Sequence, residues 1–194
     1  MKVRRIQPRT HGFTIAELAI VIGVIGLLVT ISVVGYRGMQ QRALNSQVGA
    51  NVAMYTKLLT AYYASNRSYP TTATSVCLGT DYAGDKCWLA NVDENAAFMA
   101  QLQTYAGGQA LPSASAGVFL KGIMFTPAAL GNKLDGVNTN FIAYIISGSS
   151  AQCPVGPLAT FQSGQLFSST APANGQSAAP NGSGDVQCWV PLPT

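Results

Sequence analysis

The chain is short of charge. Only 9% of its 194 residues are Asp, Glu, Lys or Arg, against 48% hydrophobic residues. Soluble domains usually carry about a quarter charged residues. Histidine is scarcer still: His11 stands alone, so no imidazole is available downstream for acid–base chemistry or metal binding. The segment FQSGQ lacks the GxSxG pattern of a nucleophile elbow. Seven carboxylates show no obvious general acid–base pair in the sequence. Among the four cysteines there is no CxxC, so the spacing gives no support to a zinc site, although four thiolates are chemically able to form one. No basic stripe marks a nucleic-acid groove. What is scarce therefore leaves catalysis, metal binding and nucleic-acid recognition without a foothold.

What is present is concentrated at the amino terminus. The formal net charge of +4 comes from Lys2, Arg4, Arg5 and Arg9, all ahead of Phe13; the remainder carries seven basic and seven acidic side chains. An unbroken apolar run of 22 residues, 13–34, follows this basic start. As a helix it spans about 33 Å, enough for one bilayer crossing. The excess of Lys/Arg before the run places the amino terminus in the cytoplasm and the bulk of the chain outside. A secretory signal peptide has a shorter apolar core and a small-x-small cleavage site, and neither is evident. A plain signal anchor fits better but leaves Glu17 unexplained. A carboxylate in the middle of a bilayer costs roughly 2.5–3.5 kcal/mol, less near an interface.

Cys77, Cys87, Cys153 and Cys188 all lie downstream of the run. In a compartment outside the cytoplasm they point to two disulfides. Of three possible connectivities, pairing of sequence neighbours, Cys77–Cys87 and Cys153–Cys188, is the expectation. Chain-entropy arguments give roughly 2.5–3 kcal/mol for the shorter loop and roughly 3.5–4 kcal/mol for the longer.

The stretch HGFTIAELAIVIGVIGLLVTISVVGYRGMQQRA resembles the amino terminus of type IV pilins and their pseudopilin relatives. The resemblance implies a short leader cut after Gly12 by a prepilin peptidase, N-methylation of Phe13 by the same enzyme, and an assembly role for Glu17. On this reading the amine freed at Phe13 of one copy neutralises Glu17 of a neighbour, because an unpaired charge in a low-dielectric core is strongly unfavourable. The pair thereby selects one axial register. The resemblance also makes Gly26 and Gly35 candidates for helix melting on assembly; small-residue packing between helices is the alternative for these glycines. Many pilins have Pro where this chain has Val34, a departure at the kink position.

Beyond the anchor, Leu44, Val48, Val52, Tyr55, Leu59 and Tyr62 recur at helical spacing. The helix is expected to reach about Ala64, before NRSYP, giving a length of about 75 Å. DENAAFMAQLQTYAGG reads as a short helix, with Asp93 as cap candidate, Phe98, Leu102 and Tyr105 as apolar stripe and Gly107 past its end. Strands are expected at 117–125, 140–148 and 185–190, with room for one more strand that the pattern does not place, and a reversal at Asp135-Gly136. TDYAGDK and NKLDGVNT hold oxygen ligands of the kind some pseudopilins use for calcium, but are sparse beside an EF-hand and read as turns. From Ser147 to Gly184 the composition turns to Ser, Gly, Ala, Pro and Gln, with Phe161, Leu166 and Phe167 set to dock. In the family such a loop, closed by a disulfide, is the variable region of the fibre surface.

The expected fold is α+β: a long N-terminal α-helix, transmembrane half plus amphipathic half, packed on a small antiparallel β-sheet as a pilin lollipop. The expected parts are a cleaved leader (1–12), the transmembrane or fibre-core half of the helix (13–34), its amphipathic half (35–65), a disulfide-stapled loop with the short helix (66–116), and the sheet with the disulfide-bounded region (117–194). The implied function is a structural subunit of a type IV pilus, with no catalytic residues, metal or cofactor. Implied partners are further copies in a helical fibre, the prepilin peptidase/methylase, an inner-membrane assembly platform, minor pilins and, before assembly, the membrane itself. The subunit would start in the inner membrane with its outer domain in the periplasm and end in an extracellular pilus. A type II secretion pseudopilin is the alternative within the family; a membrane-anchored periplasmic enzyme or binding module is the remote one.

Overall fold

The computed structural model describes residues 14–88, 91–112, 122–148, 153–155, 158–162, 165–169 and 185–194. Its contacts divide the chain into two compact units, Met1–Arg42 and Ala43–Thr194. In the first unit the described residues form the opening of helix α1 (Ile15–Asn66), and every described side chain from Thr14 to Arg42 is exposed. Ile15–Ser32 is long and apolar enough to cross a membrane.

In the second unit the same helix turns one face inward. Val52, Tyr55, Leu58 and Leu59 are buried, with Val48 packed beside them. The inward stripe begins later than the spacing predicts, because Leu44 is exposed and its neighbour Asn45 makes the first contact instead. The helix ends at Asn66, where Arg67 takes a left-handed conformation (φ 55°) and donates its N–H to Tyr63 O at 2.8 Å. That single bond is the αL cap usually supplied by glycine.

Helix α2 (Ala96–Gln103) starts one turn after the predicted cap. Asn95, not Asp93, caps it, accepting from Phe98 N–H at 2.9 Å. Asp93 instead closes a strand. Phe98, Met99 and Leu102 are the buried face, and Gly107 lies past the end with φ 61°.

Among the described residues ten strands follow in chain order: β1 (Val76–Cys77), β2 (Lys86–Cys87), β3 (Val92–Asp93), β4 (Ile123–Thr126), β5 (Lys133–Leu134), β6 (Val137–Asn138), β7 (Phe141–Ile146), β8 (Leu158–Gln162), β9 (Gln165–Ser169) and β10 (Val186–Pro191). Eight of them form one sheet in the order β1-β4-β7-β10-β8-β9-β5-β6, and β2 pairs with β3. Pairing is antiparallel except between β5 and β9, which meet in parallel at Leu134 and Leu166. The sheet is larger than the three strands named from sequence, with room for one more. The difference is mainly the β8–β9 hairpin, built from Ser-, Gly- and Gln-rich chain whose composition reads as loop. The side chains of Phe161, Leu166 and Phe167 lie outside the described residues, as do 113–121 at the start of the first predicted strand.

The middle of the sheet is sandwiched. On β7, Ile142, Tyr144 and Ile146 join the cluster that contains the helix residues, together with Phe98, Phe125, Cys188 and Val190. The intervening Ala143 joins Cys77, Tyr82, Cys87 and Met124 on the other face. Alternate residues of a strand point to opposite faces, so a strand covered on both sides is apolar throughout, as FIAYII is. The β5–β6 hairpin turns through Asp135 (φ 49°) and Gly136 (φ 87°), the pair of positive φ values that a two-residue type I′ loop demands.

Candidate assembly site

The first turn of α1 places Glu17 three residues after Thr14. The Thr14 backbone N–H and hydroxyl each donate to Glu17 Oε2 at 2.8 Å, and Glu17 N–H donates to Thr14 Oγ1 at 3.2 Å. This is a capping box, S/T-x-x-E, which satisfies amide groups that the first helical turn otherwise leaves without partners. Such a cap stabilises a helix by about 1 kcal/mol, and the carboxylate also complements the positive end of the helix dipole. Sequence reasoning noticed the lone acid and missed its cap; the signal was the four letters TIAE. Gly12 and Phe13 lie outside the described residues.

Gly26 and Gly35 both lie within α1, which is continuous across them. A Cβ built at Gly23 or Gly26 would meet nothing within 4 Å. The chain's own packing therefore gives no reason for either glycine. Between Gly26 and Gly35, Thr30 donates to Gly26 O at 2.7 Å and Ser32 to Leu28 O at 2.8 Å. Hydroxyls bonded back one turn slightly weaken and bend a helix.

Two disulfides lie in the second unit, Cys77–Cys87 and Cys153–Cys188, with Cα separations of 5.8 and 5.9 Å. The first holds the loop before α2 against the sheet. Within that loop Tyr82 hydroxyl donates to Leu78 O and accepts from Ile123 N–H. Burial pushes its pKa up to about 12, the Ile123 hydrogen bond works against that rise and the nearby Glu94 carboxylate adds to it. The loop tolerates little bulk beneath it: a Cβ at Gly122 would stand 2.2 Å from Cys87 Cβ. Asp81 and Asp85 both take positive φ, which is turn geometry.

The second disulfide brings its flanking chain onto α1. Asn45 donates through Nδ2 to Ser147 O at 2.8 Å and accepts from Ser147 N–H at 2.9 Å, so one amide side chain pairs with both backbone groups of one residue. One turn later a Cβ at Gly49 would stand 2.7 Å from Pro154 Cγ. Val155 N–H donates to Tyr144 hydroxyl at 3.4 Å. Asn45 and Gly49 are structural residues that sequence reasoning did not single out, because nothing local in NSQVG distinguishes a clamp from a polar helix face.

Neither a family model nor a solved structure matches the chain. A segment of 57 residues, 29% of the chain, is 40% identical to the type IV major pilin protein PilA of Myxococcus xanthus (strain DK1622). The match spans 26% of that protein's length. The similarity, and an exposed apolar helix at the amino terminus, fit a type IV pilin.

Proposed function

We propose that the chain is a structural subunit of a type IV pilus, assembled into an extracellular fibre and not an enzyme. Cleavage after Gly12 would free an amine at Phe13, which is then N-methylated. Residues 13–34 would hold the subunit in the inner membrane until the assembly platform moves it into the fibre, where minor pilins join it. The single observation that carries this reading is the position of Glu17: one carboxylate in the first turn of a helix whose described apolar side chains from Ile15 to Met39 are all exposed. That surface calls for lipid or other helices, and the acid calls for a cation at the same depth.

The capping box refines the pairing. Thr14 already supplies Glu17 with two hydrogen bonds, so the carboxylate arrives in the fibre oriented and partly compensated. Hydrogen bonds from an amide and a hydroxyl do not neutralise it. A methylated amine does, and in a water-poor bundle the pair favours one axial register over those that separate the charges.

Glu17→Leu tests the reading. The variant is expected to insert and be cleaved normally and to be missing from sheared surface fibres. Normal fibre numbers from that variant would refute the role given to Glu17. A processed wild-type protein that stays cell-bound in a secretion assembly would indicate the pseudopilin instead.

A further inference from the structure

Charge in this chain is sorted by position. Between Glu17 and Asp81 there is no carboxylate, while Arg37, Arg42, Lys57 and Arg67 fall in that interval. The stretch 81–94 then reverses the sign, with Asp81, Asp85, Asp93 and Glu94 against Lys86.

In the second unit the two signs stand on opposite sides of the sheet. Ser46, Ala50, Ala53, Lys57 and Ala61 recur at steps of three and four, which is one helical face. All but the half-buried Ala53 are exposed. Their face is turned away from Val52, Tyr55 and Leu59, which pack toward Ile142 and Tyr144 of β7. The acidic loop lies across the other face, where Tyr82, Cys87, Trp88 and Val92 pack with Met124 and Ala143. The helix and one face of the sheet therefore separate Lys57 from the acids. Within the loop Lys86 is paired with Asp93, and Glu94 accepts from Tyr82 N–H. Asp81 and Asp85 are left as exposed carboxylates that make no ion pair among the described residues.

We propose that these surfaces are the two halves of one contact between copies: the small-residue, basic face of α1 receives the Asp81–Asp85 loop of the next subunit. This deepens the fibre reading and rests on it. Because the patches differ and lie on opposite sides, the contact is head-to-tail, the kind that builds an open helical array instead of a closed pair. Small side chains along the helix let a neighbouring loop approach closely. Lys57 supplies the cation. Single exposed ion pairs contribute little and are screened by salt, so the contact selects the neighbour's position more than it adds to adhesion.

Charge reversal tests the proposal in intact cells, with wild type and Glu17→Leu beside it. Lys57→Glu is expected to lower sheared-fibre yield about tenfold, and Asp81→Lys with Asp85→Lys to do the same. Placed in one chain, the three changes exchange the signs and should restore the yield to within about twofold of wild type. All the substituted positions are exposed, and an unchanged thermal midpoint of each purified variant separates lost assembly from lost folding. Full yield from Lys57→Glu would overturn the proposal. So would a loss that the compensating loop changes fail to rescue. Absence of wild-type fibres would instead strike the fibre reading itself.

Discussion

Leu27 and Leu59 occupy the same helix and differ in almost everything else. Leu27, like Leu18, Ile20, Ile25 and Ile31, is exposed, at 63%; Leu59 has no exposure. Up to Arg42 the apolar residues run all round the helix, and those whose side chains are described find no cover among the described residues. From Ala43 onward apolar residues keep to one stripe, and the chain supplies the cover itself with α2 and the sheet. Each Å² of uncovered apolar surface costs about 25 cal/mol in water. The difference teaches where the missing partners are. The second unit covers its apolar stripe with its own residues, whereas the described apolar side chains of the first unit are left open.

Several changes break or sharpen that contrast. Alkaline pH should have the largest effect on the second unit. Burial raises the pKa of the Tyr55, Tyr69, Tyr82 and Tyr144 phenols above the ordinary value of about 10. A neutral phenol is thus favoured in the fold. The stability is present in full below pH about 10 and is lost as pH rises from there through the folded-state values. Circular dichroism across an alkaline titration should show the second unit unfolding cooperatively above pH about 10. Preservation of the fold to pH 13 would contradict these burials.

A matched pair of truncations comes next. Leu59→Ala should destabilise the second unit by about 2–5 kcal/mol, through lost burial and the cavity left behind. Leu27→Ala should leave its unfolding midpoint in detergent unchanged. The glycines form a third comparison. Gly49→Ala pushes a methyl into Pro154 and should cost about 1–3 kcal/mol. Gly26→Ala meets nothing and should strengthen its helix by roughly 1 kcal/mol, seen as slower amide exchange there. If melting near Gly26 is part of assembly, the same change also lowers fibre yield. The smallest effect is expected at the end of α1. Arg67→Gly removes the strain of a side chain at φ 55° and should stabilise the second unit by about 1 kcal/mol, seen as a slightly higher thermal midpoint.

Much of this contrast can be seen in the sequence because period and composition report burial directly. The apolar run, the stripe from Val48 to Tyr62 and the FIAYII strand each carry the pattern of their surroundings. Asp135-Gly136 likewise announced its hairpin through the one dipeptide chemistry that allows two consecutive positive φ values. What stayed hidden depends on distant partners. Asn45 became a clamp because Ser147, 102 positions away, ends its strand beside it. Asp93 lost its capping role because it pairs with Lys86, as Val92 beside it pairs with Cys87, in a two-stranded sheet. The β8–β9 hairpin was invisible because its pairing with β10 and β5, not its residues, makes it a strand pair. At the candidate site the acid itself was legible, and the threonine that holds it was overlooked although it was equally local.

The central claim is that an amine and a carboxylate on different copies meet in the fibre core. Intact-mass measurement on protein sheared from the cell surface tests it most directly. The predicted result is a subunit that begins at Phe13 and carries one N-terminal methyl group and two disulfides. A surface polymer whose subunits begin at any other residue would separate the amine from Glu17 and contradict the account.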